Sequence, residues 1–343
     1  MDLFCGAGGT SLGLHQAGMK VVLAVDSWKV ALESHKLNLP DCETMEADIL
    51  TLDPKTLPRV DYITGSPPCT EFSNANVGGD PYEGLILVKK FLEIVEEVKP
   101  RLGWCMENVP PILPYLNCRG LTNRVLDAAD YGVPQHRKRA FVGRYAIPLP
   151  THCERPQMTL SGERLLSWLT LRQALGLTVV GKREGEGQIV GVSTDSPSLT
   201  VRPISPHGGA LRFGDMVTPK FDVATNGVME RRENAGFGDR IIDEDDSMHT
   251  ITGINGGIRN DEWLLKMKDE FRRLTVEECQ ILQGFPIGYQ FCGSKVNRYQ
   301  QVGNAVPPPM ARAIAEATMK NPPKEIEMNA DRTVKKKPIM GTL

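Results

Sequence analysis

The stretch DLFCGAGGTSLGL, residues 2–14, decides the fold. A short apolar strand runs into Gly6, Gly8 and Gly9 and then into the apolar spacing of a helix start. Missing side chains at such a turn let a ligand approach the backbone, and the free N–H groups of the following helix favour a carboxylate or phosphate. A glycine turn also serves plain strand-to-helix packing, so alone it carries little weight. Asp26 closes the next β-branched run, where folds of this kind hold ribose hydroxyls, and it moves the reading toward a nucleoside cofactor.

Outward from this turn, β-branched runs at 21–26, 60–65, 104–109 and 140–145 alternate with amphipathic stretches, of which 85–98 is the clearest helix, ended by Pro100. This alternation predicts an α/β domain with a mostly parallel, twisted sheet and helices on both faces over residues 1–150. From 151 to 262 glycines, prolines and charges interrupt every periodic run, which predicts a small, separate, loop-rich domain. Helical periodicity resumes at 263–271, 276–283 and 309–319, so 263–320 is expected to return to the first domain. Pro322, Pro323 and the lysines at 335–337 predict a disordered tail over 321–343. Only Met1 precedes the DLF triplet, so the first strand is expected to be short, with either an upstream start of the reading frame or another segment, such as the C-terminal region, completing it.

Composition narrows the class. The chain of 343 residues is 41% hydrophobic, enough for a sizeable core, and contains no run long enough to span a membrane and no basic leader. A cytoplasmic location is expected. Eight cysteines without a CxxC pair suggest neither a metal site nor a disulfide framework. The net charge of -2 counts mildly against nucleic-acid binding. Basic clusters at 137–139, 231–232 and 272–273 are solvated faces or, lining a cleft, phosphate contacts.

The segment GSPPCTEFS, 65–73, follows an apolar run and so falls at the carboxyl end of a strand, where open α/β sheets place their sites. Pro67 and Pro68 stiffen the backbone before Cys69. A lone cysteine in such a protein is most often inert and buried, but this placement, with Gly78 and Gly79 beyond it, suits a presented nucleophile beneath a mobile loop.

Together with MENVP (106–110), YGVPQHRKRAFVGR (131–144), RRLTVEECQILQGFP (272–286) and YQQVGNAVPPPMARAI (299–314), these two segments resemble the ordered motifs of the cytosine-5 DNA methyltransferases. The resemblance spans residues 2 to about 318 apart from the middle domain. It implies a Rossmann-like domain that uses S-adenosyl-L-methionine, releases S-adenosyl-L-homocysteine and needs no metal, plus a small target recognition domain. It implies cofactor contacts at Phe4, Gly6, Gly8, Asp26, Asp48, Ile49, Pro67, Leu87, Asn304, Ala305 and Val306. Trp28 follows Asp26 by two positions rather than one, which leaves adenine stacking and a place in the core as equal readings.

The resemblance makes Cys69 the nucleophile at carbon 6 of cytosine, which turns carbon 5 into an enamine carbon able to accept a methyl group. Glu107 would meet ring nitrogen 3, for which a carboxyl kept protonated or readily protonated by burial is expected. Arg139 would hold the carbonyl at carbon 2, and Gln135 and Arg137 would take structural or cytosine-orienting roles. A duplex hides these atoms, so the cytosine must flip out of the stack. Asn226, Arg231, Arg232, Asn255 and Arg259 are candidate base readers. The expected partners are double-stranded DNA and a cognate restriction endonuclease, for a monomer associated with the nucleoid. Methylation of cytosine in tRNA and a non-catalytic DNA-binding role are the alternatives; the intact Cys69, Glu107 and Arg139 speak against the second.

Overall fold

The computed structural model describes residues 1–68, 72, 80–159, 162–175, 198–199, 264–267, 270–273, 275–324 and 333–335. Cys69 and the candidate readers Asn226, Arg231, Arg232, Asn255 and Arg259 lie outside the described residues. The chain builds β1 (Asp2–Leu3), α1 (Gly9–Gln16), β2 (Leu23–Asp26), α2 (Lys29–Asn38), β3 (Glu43–Glu46), β4 (Tyr62–Gly65), α3 (Pro81–Val98), β5 (Gly103–Asn108), β6 (Thr122–Asp127), β7 (Gln135–His136) and β8 (Lys138–Arg144). Short strands β9 (His152–Cys153), β10 (Gln157–Met158) and β11 (Arg164–Ser167) follow, then α4 (Leu171–Leu175), β12 (Ser198–Leu199), β13 (Leu264–Met267), β14 (Glu270–Arg273), α5 (Val276–Leu282), α6 (Lys295–Asn304) and α7 (Pro308–Lys320).

Seven strands form one sheet in the order β3-β2-β1-β4-β5-β8-β6. β1 to β5 are parallel, whereas β8 runs antiparallel to both β5 and β6. The connections diverge from β1, to β2 on one side and β4 on the other, and this is the point at which such sheets open a crevice beyond their carboxyl ends. Alternate residues feed opposite faces. Ile63, Trp104 and Met106 pack with Phe91, Leu92 and Val95 of α3, while Tyr62, Cys105 and Phe141 pack with Leu14, Met310 and Ile314. The sheet therefore carries a helical layer on each face, as expected from its alternating runs.

The structure differs from the sequence expectations in three places. In place of the helix expected over 263–271, the described residues form strands: β13 and β14 pair antiparallel, Leu264 opposite Arg273 and Met267 opposite Glu270. Nine residues are too few for helical propensity to decide, and the ladder satisfies the backbone instead. The tail also returns to the core at 333–335, where Asn117 N donates to Thr333 O at 2.7 Å and Lys335 N to Tyr115 O at 3.0 Å, and Thr333 is buried. Among the described residues, finally, the C-terminal region does not extend β1, because residues 308–320 form α7 against α1. The Met1 amine donates to Tyr62 O at 2.9 Å.

A buried polar chain ties β1, α1 and α2 together. Ser11 Oγ donates to Asp2 Oδ2 at 2.6 Å and accepts from His35 Nε2 at 2.9 Å. A hydroxyl has one hydrogen, and with it given to Asp2, whose pKa burial raises to about 7, the ring nitrogen is the donor. Burial lowers the His35 pKa to about 4, so the ring is neutral in the fold. The unfolded chain takes up a proton near the ordinary histidine value of about 6.5, so this contribution to stability is complete above that pH and is lost as pH falls toward about 4. Replacing the ring by an amide that does not titrate removes this dependence, which for one such group amounts to about 1.4 kcal/mol for every pH unit across the window. Calorimetric melting of His35→Gln is therefore expected to show a flatter loss of Tm than the wild type between those two pH values. Parallel melting curves would show that His35 is not the group responsible.

Candidate active site

The glycine turn sits at the carboxyl end of β1. Phe4 and Gly6 have φ of 57° and 52°, and Gly8, which precedes α1, has 94°. For Phe4 this left-handed backbone is strained, and such strain concentrates where a turn must hold an unusual shape. A Cβ on Gly8 would come within 2.9 Å of both His35 Cδ2 and the Tyr289 hydroxyl, and one on Gly9 would overlap the Val306 carbonyl. A Cβ on Gly6 would meet no described atom within 4 Å, so the turn is open on that side. α1 has no side-chain cap, which leaves its first N–H groups for a ligand.

Asp26 fixes this turn from β2. Its Oδ2 accepts from Gly6 N and its Oδ1 from Trp28 N, both at 2.8 Å. A carboxylate has about four acceptor positions, so capacity remains for hydroxyl donors. Burial raises its pKa, and these backbone hydrogen bonds oppose the shift. Trp28 is partly exposed next to this acid and is not among the buried core residues. Ala47 N donates to Asp26 O at 3.0 Å, which brings Asp48 and Ile49 to the same strand end; Asp48 is exposed and caps the next turn, while Ile49 is buried. Pro67 is buried after β4, and Leu87 is half-buried on α3. These residues fit a nucleoside cofactor: an open glycine turn, an uncapped helix start and an acid with spare acceptor positions share one edge.

The neighbouring strands carry the charged pair. Glu107 ends β5, and β8 runs antiparallel beside it, so Arg139 near the beginning of β8 reaches the same edge. Arg139 Nε lies 3.0 Å from Glu107 Oε1, with the two side chains 14% and 12% exposed. Two charges this shielded depend on each other, and removing one from such a pair typically costs about 3–5 kcal/mol. Asn108, buried beside Glu107, donates from Nδ2 to Pro67 O at 3.0 Å and accepts Val109 N at 2.9 Å. It thereby ties the loop after β4 to the end of β5.

Gln135 and Arg137 are buried and face the chain's later segments. Arg137 donates to Gly303 O at 2.9 Å, a geometry suited to buttressing. Gln135 Nε2 donates to Leu282 O at 2.9 Å and to Gln283 Oε1, and Gln283 Nε2 donates to Ala305 O at 2.5 Å. Asn304 is exposed, Ala305 half-buried and Val306 buried against the glycine turn. Tyr289 completes the seam by donating from its hydroxyl to Ala7 O at 2.5 Å. Asn108, Gln283 and Tyr289 escape the sequence reading, although each adjoins a quoted motif or belongs to it. A cavity of about 350 Å³ between α5, residues 287–291 and α6 contains neither Glu107 nor Arg139 in its lining.

Comparison with known proteins agrees with this arrangement. Residues 1–149 and 219–320 match the family described as C-5 cytosine-specific DNA methylase. The chain is similar to the Type II methyltransferase M1.HphI of Haemophilus parahaemolyticus, 29% identical over 93% of this chain and 86% of that protein. It is also similar to M.XorII of Xanthomonas oryzae pv. oryzae, 28% identical over 96% and 87%. In fold it resembles a candidate DNA modification methyltransferase encoded within an E. coli prophage, with a TM-score of 0.54, 23% identity and coverage of 93% and 97%. The Spodoptera frugiperda protein DNMT2, a triple mutant, gives a TM-score of 0.52 at 15% identity, with coverage of 93% and 98%. With most of its length matched, and with the sheet edge that this chemistry requires, the chain belongs to the C-5 cytosine-specific DNA methylases, enzymes that methylate cytosine in DNA at carbon 5.

Proposed function

We propose that this chain methylates a flipped-out cytosine within a specific double-stranded DNA sequence through a covalent adduct with Cys69. The observation that carries the reading is the shielded Glu107–Arg139 pair at the edge where Asn108 holds the Pro67 carbonyl, two residues before Cys69. Bound against the glycine turn, S-adenosyl-L-methionine supplies an electrophilic methyl group. Gly6, Gly8 and Asp26, with Phe4, Asp48, Ile49, Pro67, Leu87 and residues 304–306, would hold it.

The protein's own groups then divide the work. The Cys69 thiolate forms a bond from sulfur to carbon 6, and the electron pair displaced across the ring makes carbon 5 nucleophilic. Glu107 holds the ring through nitrogen 3 as the adduct forms, and Arg139 offers its guanidinium to the carbonyl at carbon 2 as negative charge grows there. Once carbon 5 carries the methyl group, with S-adenosyl-L-homocysteine as the leaving group, its proton would pass to solvent, the electron pair would restore the double bond between carbons 5 and 6, and the Cys69 thiolate would leave carbon 6. Arg137 and Gln135 keep the cofactor-closing segment seated and do not touch the base. Residues 151–262 act as the target recognition domain, in keeping with the unmatched stretch between 149 and 219. A cognate restriction endonuclease and a monomeric, nucleoid-associated enzyme complete this reading.

Bisulfite sequencing of cells that lack cytosine methylation and express the wild type is expected to show methylated cytosines within one short sequence; methylated tRNA beside an unmethylated genome overturns the DNA assignment. Cys69→Ala is expected to abolish methylation, and Glu107→Gln to slow it by about 10²–10⁴-fold. An active Cys69→Ala enzyme overturns the covalent mechanism. Asp26→Ala is expected to weaken S-adenosyl-L-homocysteine binding about 10- to 100-fold in titration calorimetry, the loss of one charged hydrogen-bonding partner. An unchanged Kd removes Asp26 from the cofactor site.

A further inference from the structure

His136 stands between the two parts of the chain. Its Nδ1 donates to Asp127 Oδ2 at 3.0 Å, and the pair is shielded, with side chains 13% and 12% exposed. The other oxygen of the same carboxylate accepts Arg137 N at 2.9 Å and Ala129 N at 3.3 Å. Burial pushes the Asp127 carboxyl up, but His136 and these backbone donors outweigh it and hold the pKa below its ordinary value. One carboxylate thus fixes the His136 ring and the backbone at Arg137, two residues before Arg139.

The opposite side of His136 meets Trp168. The ring centroids are 4.6 Å apart at 89°, an edge-to-face contact, and Trp168 Nε1 donates to Asp130 Oδ1 at 2.9 Å. Trp168 belongs to the stretch that the family match omits, whereas Asp127, Asp130 and His136 lie within the matched core. A second strand of the omitted stretch lands at the same place: β12 pairs in parallel with β7, Ser198 opposite Gln135 and Leu199 opposite His136. The segment outside the family match therefore touches the matched core on the two residues that lead into Arg137 and Arg139.

We propose that His136 is a positioning residue for methyl transfer, gripped between Asp127 of the core and Trp168 of the segment outside the family match, so that seating of that segment on β7 sets where Arg139 stands. This rests on the function proposed above. The expected effect is about tenfold in rate, which corresponds to about 1.4 kcal/mol in the barrier. The turn at 127–131 is the fixed part, because Asp127 and Asp130 anchor the two ring partners separately.

The test uses the full-length protein with plasmid DNA from cells lacking cytosine methylation. His136→Asn keeps an amide donor near Asp127 but removes the ring, Trp168→Ala removes both contacts of the indole, and Trp168→Phe keeps the stacking while losing the bond to Asp130. Single-turnover methyl transfer is expected to fall about tenfold in His136→Asn and in Trp168→Ala and less in Trp168→Phe. The double variant is expected to fall no further than either single, with S-adenosyl-L-homocysteine affinity unchanged and the loss of rate not following the loss of Tm. Wild-type rates in the variants, losses that multiply in the double variant, or losses that track Tm each overturn the proposal. A wild-type protein that leaves DNA unmethylated overturns the functional reading and this proposal with it, whereas an active wild type with unaffected variants overturns the proposal alone.

Discussion

Close packing around the glycine turn is the constraint on which the rest of the structure depends. No side chain fits at Gly9, because Val306 lies against it, and none fits at Gly8, where His35 and Tyr289 crowd in. Three later segments are drawn to this point: Tyr289 binds the Ala7 carbonyl, Gln283 binds Ala305, and Arg137 binds Gly303. The turn is thus both a cofactor cradle and the keystone between the start of the chain and its last helices. A side chain there would separate those segments as well as obstruct a ligand.

The reversed direction of β8 solves a different problem. Parallel strands present only their carboxyl ends at the crevice, so a group delivered by the start of a strand must come from an antiparallel one. Arg139 arrives in this way and meets Glu107 at 3.0 Å, a separation at which each holds the other in place before any base is present. Under the proposed mechanism a flipped cytosine would enter a site whose charged groups are already aligned, which would reduce the reorganisation needed as charge develops.

Much of this architecture was legible from residue patterns. The runs that became β2, β4, β5 and β8 are largely apolar and buried, and burial writes itself into sequence. β6 was not legible, because Thr122–Asp127 is an edge strand with Arg124 and Val125 exposed, and its alternation is weak. The hairpin of β13 and β14 reads locally as a helix, and only the pairing between the two strands reveals it. In the site, Glu107 and Arg139 were legible through the resemblance of MENVP and YGVPQHRKRAFVGR to family motifs, because a glutamate at a strand end is by itself equally an ordinary salt-bridge partner. The relay from Gln135 through Gln283 to Ala305 was hidden, since its amides lie 148 positions apart along the chain and no local pattern joins them. The role of Asn108 was equally invisible, because an asparagine beside a glutamate looks like an ordinary strand end until its partner, the Pro67 carbonyl, is seen.

The keystone also sets a clock. Gly9 leaves the ribosome nearly 300 positions ahead of Tyr289 and Val306, the residues that enclose its turn. At translation rates of about 5–20 residues per second, that interval is roughly 15 to 60 seconds. Throughout it the turn lacks the contacts that Tyr289 and Val306 make, so a chain that stops short of them leaves the turn open on that side.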